Sequence, residues 1–222
     1  MVNKYIKMSR PLSNNMPCYN GEKNIEIIPD NSIVNGDSTN SIKLKMGNHV
    51  GTHIDFPHHF YINGKTIDDY PTDWFIFNKI SILDIPMDSG MCITAGMIAD
   101  NCNNVDYSAE LLIIRTGYGR YYELDKYWSD NPGLSPEAVL YIKNTFLALR
   151  VLCVDFISIN AYNYKPQGRE AHKILLDMPE IAIIEDIDLS NFNNEQIVKV
   201  IIVPLHISGA DGTPCSILAE IK

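Results

Sequence analysis

Apolar residues in this chain fall mostly into short runs, which turn-forming Gly, Pro, Asn and Asp residues separate. The run at 41–46 alternates between apolar and polar positions, as in a strand with one buried face. The runs at 111–117 and 151–155 are almost continuously apolar, as in strands buried on both faces. The same reasoning predicts six strands, at 25–28, 41–46, 80–85, 111–117, 151–155 and 181–185.

Helical patterns are fewer than strand patterns. Ser135 and Pro136 form a typical helix start, because Ser caps the first turn and Pro fits its first position. The helical spacing of apolar residues then continues to near Arg150. Thr94 is the predicted cap of a shorter helix, and the pattern at 170–176 predicts a third helix. Strands that alternate with a few helices predict an α/β fold with a mixed sheet.

Composition and charge narrow the classes of function. A chain of 222 residues that is 45% hydrophobic can bury one sizeable core, and without repeats or linkers we expect a single domain over 1–222. The net charge of −9 argues against nucleic acid or an anionic membrane as a partner. No apolar run has membrane-spanning length, and the amino end lacks a signal-peptide pattern. Five dispersed cysteines without a Cys-x-x-Cys pair predict reduced thiols and a cytoplasmic protein.

The segment 49–60 contains four of the six histidines in the chain. On an extended strand alternate side chains share a face, so His49, His53 and Asp55 would point the same way. At about 3.3 Å per residue, the two histidines would lie roughly 13 Å apart, so the backbone must bend between them, and Gly51 permits that bend. Imidazole and carboxylate are the ligands of a catalytic zinc-type ion. We predict a metal site here in preference to scattered core or surface histidines.

The same segment resembles the signature His-x-Gly-Thr-His-x-Asp-x-Pro-x-His-Phe of the metal-dependent cyclase-like hydrolase family, which includes bacterial kynurenine formamidases (arylformamidases) and isatin hydrolases. Every fixed position of the signature is present. The resemblance implies a swivelling β/β/α domain with a mixed sheet, barrel-like strands and few helices.

A second part of the chain is similar to the second motif of this family. His172 precedes two leucines, and Glu185 ends an apolar run about a dozen residues later. The pattern alone leaves His172 open between a ligand and a histidine on a helix surface. The resemblance implies that His49, His53 and Asp55 bind one ion, and that Asp55 and Glu185 bridge to a second ion that His172 also binds.

Two further residues receive roles from the resemblance. Tyr19 stands where the family has an aromatic residue that lines the substrate pocket, although Asn20 and Glu22 differ from the family's Pro-Gly-Asp turn. The residues alone are equally compatible with Tyr19 as a loop anchor. His59 lies just beyond the first ligands, and an imidazole with an ordinary pKa of about 6.5 suits proton transfer to a leaving amine.

The implied activity is metal-dependent hydrolysis of a non-peptide amide C–N bond in a small-molecule substrate. The first candidate is arylformamidase activity in tryptophan catabolism, which converts N-formylkynurenine to kynurenine and formate. We expect two Zn²⁺ ions per chain, with Mn²⁺ as the other candidate metal, and a homo-oligomer (a homodimer or a tetramer). The alternatives are opening of a cyclic amide, as in isatin hydrolases, and a catalytically silent metal-binding or interaction protein.

Overall fold

The computed structural model describes residues 4–102, 105–192 and 196–222. Within these ranges the strands are β1 Lys4–Lys7, β2 Ile25–Asn31, β3 Ser41–Met46, β4 His53–Asp55, β5 Ile76–Phe77, β6 Ile80–Asp84, β7 Cys92–Ile93, β8 Leu111–Arg115, β9 Gly133–Leu134, β10 Val151–Val154, β11 Ala182–Glu185, β12 Ile197–Pro204 and β13 Gly212–Ile221. The helices are α1 Ala95–Asn101, α2 Lys126–Ser129, α3 Pro136–Thr145 and α4 Lys165–Leu176. Short 3-10 turns connect several of these elements.

One large mixed sheet dominates the fold. Its strand order is β5-β12-β13-β4-β11-β10-β8-β6, and β1 also pairs with β13. The strands from β11 to β6 run parallel to one another, whereas β4 is antiparallel to both of its neighbours. The sheet curls so that β12 also contacts β6, which gives an almost closed barrel. The predicted fold class is confirmed: a mixed sheet with barrel-like strands and few helices.

Alternation along the parallel strands divides the core into two parts. On β8, Leu111 and Ile113 point into the barrel, while Leu112 and Ile114 point outward under α1, α3 and α4. All four are 1% exposed or less, which explains why this run is apolar at every position. The outward side, between the sheet and the helices, is also the side on which the candidate site lies.

The helix starts predicted from capping are confirmed. The hydroxyls of Thr94 and Ser135 accept hydrogen bonds from backbone N–H groups in the first turns of α1 and α3. α3 ends at Thr145, earlier than predicted, because Phe146 leaves the helical conformation. α4 begins at Lys165, five residues before the predicted segment. No helix in the described parts of the chain combines the length and the apolar character of a membrane span.

The main departure concerns the path into the histidine-rich segment. In the sequence, the strand predicted at 41–46 leads through Gly47 and Asn48 towards this segment, so one continuous strand could deliver the ligands at its end. Instead, in the part of the chain that the structure describes, β3 pairs with β2 alone, in a separate two-stranded sheet. The ligands lie on β4, a separate short strand, because the backbone turns sharply at Gly51, where φ is +62°.

Candidate metal centre

Strand β4 places two of the predicted ligands on one face of the sheet. His53 pairs with Glu185 of β11, and Asp55 pairs with Ile183, so all four side chains project to the helix side. Ile54, between the two ligands, points into the barrel and is fully buried. The shared face that the sequence predicts for His53 and Asp55 is therefore present, and the antiparallel register adds Glu185 beside it.

The bend at Gly51 brings His49 back to the same face. Its Nδ1 lies 2.7 Å from Asp55 Oδ1, and the ring centroids of His49 and His53 are 5.3 Å apart. A side chain at residue 51 would meet the Met16 methyl group at 2.7 Å and would strain a positive φ. The expected bend and the expected glycine are both confirmed.

His172 reaches the cluster from α4. Its Nε2 lies 3.2 Å from Glu185 Oε1 and 3.9 Å from Asp55 Oδ2. Its Nδ1 lies 2.8 Å from the Gly168 carbonyl oxygen, and His53 Nδ1 lies 2.8 Å from that of Gly51. Since a carbonyl oxygen only accepts, each Nδ1 carries the proton and each Nε2 faces the carboxylates. Backbone contacts of this kind orient metal-binding histidines in proteins.

These residues form a donor set that fits divalent cations. Ligand atoms of His53, Asp55 and Glu185 lie within 4.8 Å of one another, and so do those of His49, Asp55 and His59. The carboxylates of Asp55 and Glu185 are 1% and 4% exposed, and two buried carboxylates so close together need positive charge nearby. Asp55 belongs to both groups, as a residue shared between two ions would.

The charges of the cluster act strongly on its titratable groups. Burial alone would raise the pKa of Asp55, but the charge on His53 and the hydrogen bond from His49 hold it well below its usual range. Burial alone would lower the pKa of His49, but the contacts of this ring with Asp55 and Asp211 outweigh burial and raise the pKa to about 9. His49 therefore carries a proton at neutral pH in this arrangement, and a metal ion bound by it would replace that proton.

Asp211 is a central residue that the sequence reasoning missed. Its Oδ2 lies 2.9 Å from His49 Nε2 and 2.8 Å from His59 Nδ1, and Asn48 donates to its Oδ1. Burial alone would raise the pKa of Asp211, but the contacts with His59 and His49 outweigh burial and lower this pKa to about 2. The glycines at 209 and 212 are typical of a tight loop, but from Gly212 onward the chain forms strand β13, which pairs with β4. The Asp-Gly pair just before an apolar strand was the sequence feature that could have pointed to Asp211.

Glu185 is fixed by a loop that follows β10. Its Oε1 accepts hydrogen bonds from the Ser158 hydroxyl at 2.9 Å and from the Ile159 N–H at 2.7 Å. Neither residue belongs to the sequence motifs, because their role arises only when the ends of the parallel strands β10 and β11 lie side by side.

Asp186, the next residue, adopts a positive φ of 57° and turns its side chain to the other side, toward Arg10. Arg10 Nε donates to Asp186 Oδ1 at 2.8 Å, and the Tyr127 hydroxyl donates to the same atom. The Thr52 hydroxyl bonds the Asp186 carbonyl and accepts from the Arg10 N–H. This buried network ties the amino-terminal segment to the strand ends that carry Glu185 and His53.

A cavity of about 300 Å³ opens onto the cluster, at the small end of the range for ligand sites. Besides the six predicted metal-centre residues, its lining includes Tyr19, Phe60, Ile157 and Arg169. Tyr19 lies on a 3-10 turn at the cavity wall.

The two remaining histidines lie apart from these groups. His58 follows Pro57 in a turn and has no contact with the ligand atoms among its described bonds. His206 contacts Asp68 on the surface.

Comparisons with known proteins identify the family of the chain and its fold. The family model for Cyclase matches residues 6–161. A kynurenine formamidase from Geobacillus thermodenitrificans is 23% identical over 218 residues, which is 96% of each chain. A kynurenine formamidase from Salinibacter ruber is 28% identical over 182 residues, covering 80% of this chain and 78% of the relative. Isatin hydrolase A from Labrenzia aggregata superposes with a TM-score of 0.81 at 18% identity, over 99% of this chain and 94% of that one.

The family match covers more than half of the chain and includes the first histidine motif, and the relatives span nearly the whole of it. The structural likeness extends over the same length and shows the same fold. The family that the sequence motif indicated is thereby confirmed: the chain belongs to the Cyclase family of hydrolases.

Proposed function

We propose that this protein is a metal-dependent hydrolase of a non-peptide amide C–N bond, with arylformamidase activity on N-formylkynurenine as the first candidate. The observation that carries the proposal is the convergence of four imidazoles and two buried carboxylates at the floor of one small cavity. The relatives named kynurenine formamidase support the choice of substrate.

The residues that would hold two divalent ions are His49, His53, Asp55, His172 and Glu185. Nitrogen and carboxylate donors suit Zn²⁺, and Mn²⁺ is the second candidate. Divalent ions bound here would lower the pKa of water and polarise the amide carbonyl.

His59 is the proposed proton carrier. Its Nδ1 lies 2.8 Å from Asp211 Oδ2, so the Nδ1 proton is held there and Nε2 is the nitrogen that can exchange a proton with substrate. Phe60, stacked on His172 with ring centroids 5.3 Å apart, covers one side of the ligand cluster with an apolar ring.

The test combines metal analysis with a substrate panel. Protein stripped with a chelator and reloaded with Zn²⁺ or Mn²⁺ would be assayed on N-formylkynurenine, formanilide and isatin. We expect metal-dependent hydrolysis of the formamides, and up to two ions per chain by elemental analysis. Preference for isatin would instead assign opening of a cyclic amide, and metal binding without hydrolysis of any amide would contradict the proposed activity.

Variants connect that activity to the proposed ligands. Asp55→Ala and His53→Ala should each lose tightly bound metal and activity while the circular dichroism of the fold persists. His206→Ala is the matched control, because this exposed histidine pairs with Asp68 on the surface and is not among the residues that line the cavity. Full metal content in Asp55→Ala would remove Asp55 from the ligand set.

A further inference from the structure

Arg169 is a cation at the cavity that the proposed chemistry does not use. It lies on α4 three residues before His172, so the two side chains share one face of the helix. At a rise of 1.5 Å per residue, its Cα is about 4.5 Å farther along the helix axis. Arg169 lines the cavity, and among the described residues its guanidinium has no hydrogen bond or ion pair. Five N–H donors are thus available at the cavity wall.

The Tyr19 hydroxyl is the second unused polar group of the cavity. It is shielded from solvent and has no hydrogen-bond partner among the described residues. Burial, followed by the charge on Glu185, raises the pKa of Tyr19 to about 12, while the charge on Arg169 acts in the opposite direction. The hydroxyl therefore lies within the field of both the Glu185 carboxylate and the Arg169 guanidinium. A buried hydroxyl without a partner is costly, unless a ligand supplies one.

The turn that carries Tyr19 is fixed against neighbouring elements by polar and steric contacts. Lys165 Nζ donates to Asn20 Oδ1 at 2.7 Å and lies 5.8 Å from the centre of the Tyr19 ring. Gly21 lies against Trp128, whose ring would be 2.7 Å from an added Cβ. Asn20, one of the departures from the family turn, thus helps to hold Tyr19 beside the helix.

The sign of the charge at this wall is opposite to that of the whole protein. The chain has a net charge of −9, yet Lys165 and Arg169 are one turn apart on α4 beside the cavity. A cation without a protein partner attracts anions into the cavity. The planar guanidinium also fits the two oxygens of a carboxylate, and a phenol can donate a further hydrogen bond to the same group.

We propose that Arg169, together with the Tyr19 hydroxyl, binds a carboxylate of the substrate, so that the enzyme prefers amides that carry a carboxylate over neutral amides of similar shape. The inference rests on the proposed function and adds a specificity site to it. The small cavity and the short distance along α4 place the anionic group within a few bonds of the amide.

The experiment compares 2-formamidobenzoate with formanilide, which differ only in the carboxylate. For metal-loaded wild type we expect a higher kcat/KM on 2-formamidobenzoate. Arg169→Met should raise KM for this substrate about 10- to 100-fold, the loss expected for a charge-assisted hydrogen bond, and change formanilide hydrolysis less than about twofold. Arg169→Lys should recover part of the loss. Salt should weaken the wild-type preference and have little effect on Arg169→Met.

Lys45→Gln is the matched control, because it removes the same charge from the exposed strand β3 and should leave both substrates unaffected. Equal effects of Arg169→Met on both substrates, or none on 2-formamidobenzoate, would overturn the inference. If wild type hydrolyses neither compound, nor N-formylkynurenine or isatin, the proposed function fails instead. Calorimetric binding of the product-like 2-aminobenzoate then decides the inference: at least about tenfold weaker binding by Arg169→Met supports it, and equal binding overturns it.

Discussion

Two aspartates arrange the histidines of the centre, and each does so in a different environment. Asp55 is almost fully buried and contacts His49 and His53 from the floor of the cavity. Asp211 is about one-third exposed at the rim and contacts His49 and His59. His49 lies between the two carboxylates, so the ligand cluster and the proposed proton carrier form one connected network.

His59→Ala separates the role of a proton carrier from that of a ligand. The atoms of His59 are close enough to those of His49 and Asp55 to share an ion, so geometry alone permits both roles. As a proton carrier, His59 should be dispensable for metal content, and its loss should reduce turnover about 10²- to 10⁴-fold. A substrate with a better leaving group should show a smaller loss. Single-turnover rates and elemental analysis are the measurements.

His58→Ala provides the control for this substitution, since the neighbouring imidazole has no role in the proposed mechanism. It should retain both metal and turnover. A His59→Ala protein that is isolated without metal would show that His59 is a ligand, and another group would then have to transfer the proton.

At the scale of elements, the close approach of α4 to the loop after β10 positions His172 against Glu185. Gly168 makes this approach possible, because an added Cβ would lie 2.4 Å from the Cα of Asn160. The Gly168 carbonyl also holds His172 Nδ1. One residue without a side chain therefore determines both the helix position and the ring orientation.

Gly168→Ala should consequently displace α4 and weaken metal binding. We expect a loss of about 1–3 kcal/mol in the free energy of unfolding, as for other overpacked sites, and a lower metal affinity by titration with a competing chelator. Gly96→Ala in α1 is the matched control, because the nearest atom to its added Cβ is 3.9 Å away. There alanine should be neutral or stabilising by up to about 1 kcal/mol. Equal behaviour of the two variants would contradict this account of Gly168.

Features that depend on local sequence patterns could be predicted from the sequence, whereas features that depend on tertiary contacts could not. Continuous apolar runs such as 111–114, and caps such as Ser135, depend on local patterns and were placed within a few residues. His53 and Asp55 were assigned to one face because a strand alternates. Asp211 and Ser158 were missed because their contacts with the histidines and Glu185 are purely tertiary, and no periodicity marks them.

At the scale of the whole molecule, the centre lies where the antiparallel and parallel parts of the sheet meet. β4 forms the junction, since it pairs with β13 on one side and β11 on the other. Arg10, Asp186 and Thr52 bind the amino-terminal segment to the same junction. A metal bound here would connect segments distant in sequence and stabilise the entire sheet.

Removal of metal should therefore lower the melting temperature of the protein. Free metal at 100 times its dissociation constant contributes about 2.7 kcal/mol, and 1 kcal/mol corresponds to about 2–4 °C in a chain of this size. We expect chelation to lower Tm by roughly 5–10 °C in scanning calorimetry. Asp55→Ala should show no response to the chelator. An unchanged wild-type Tm would mean that the ions contribute nothing to the folded state.

The central position of β4 also has a consequence for biosynthesis. A ribosome adds about 5–20 residues per second, so β4 emerges on the order of ten seconds before the residues of β13 that pair with it. For most of that interval, until residues 172–185 have been made, the histidine-rich segment is exposed without His172, Glu185 or either neighbouring strand. Binding of the proposed ions by the folded centre would therefore be a late event, which follows translation of residue 214 and closure of the sheet around β4.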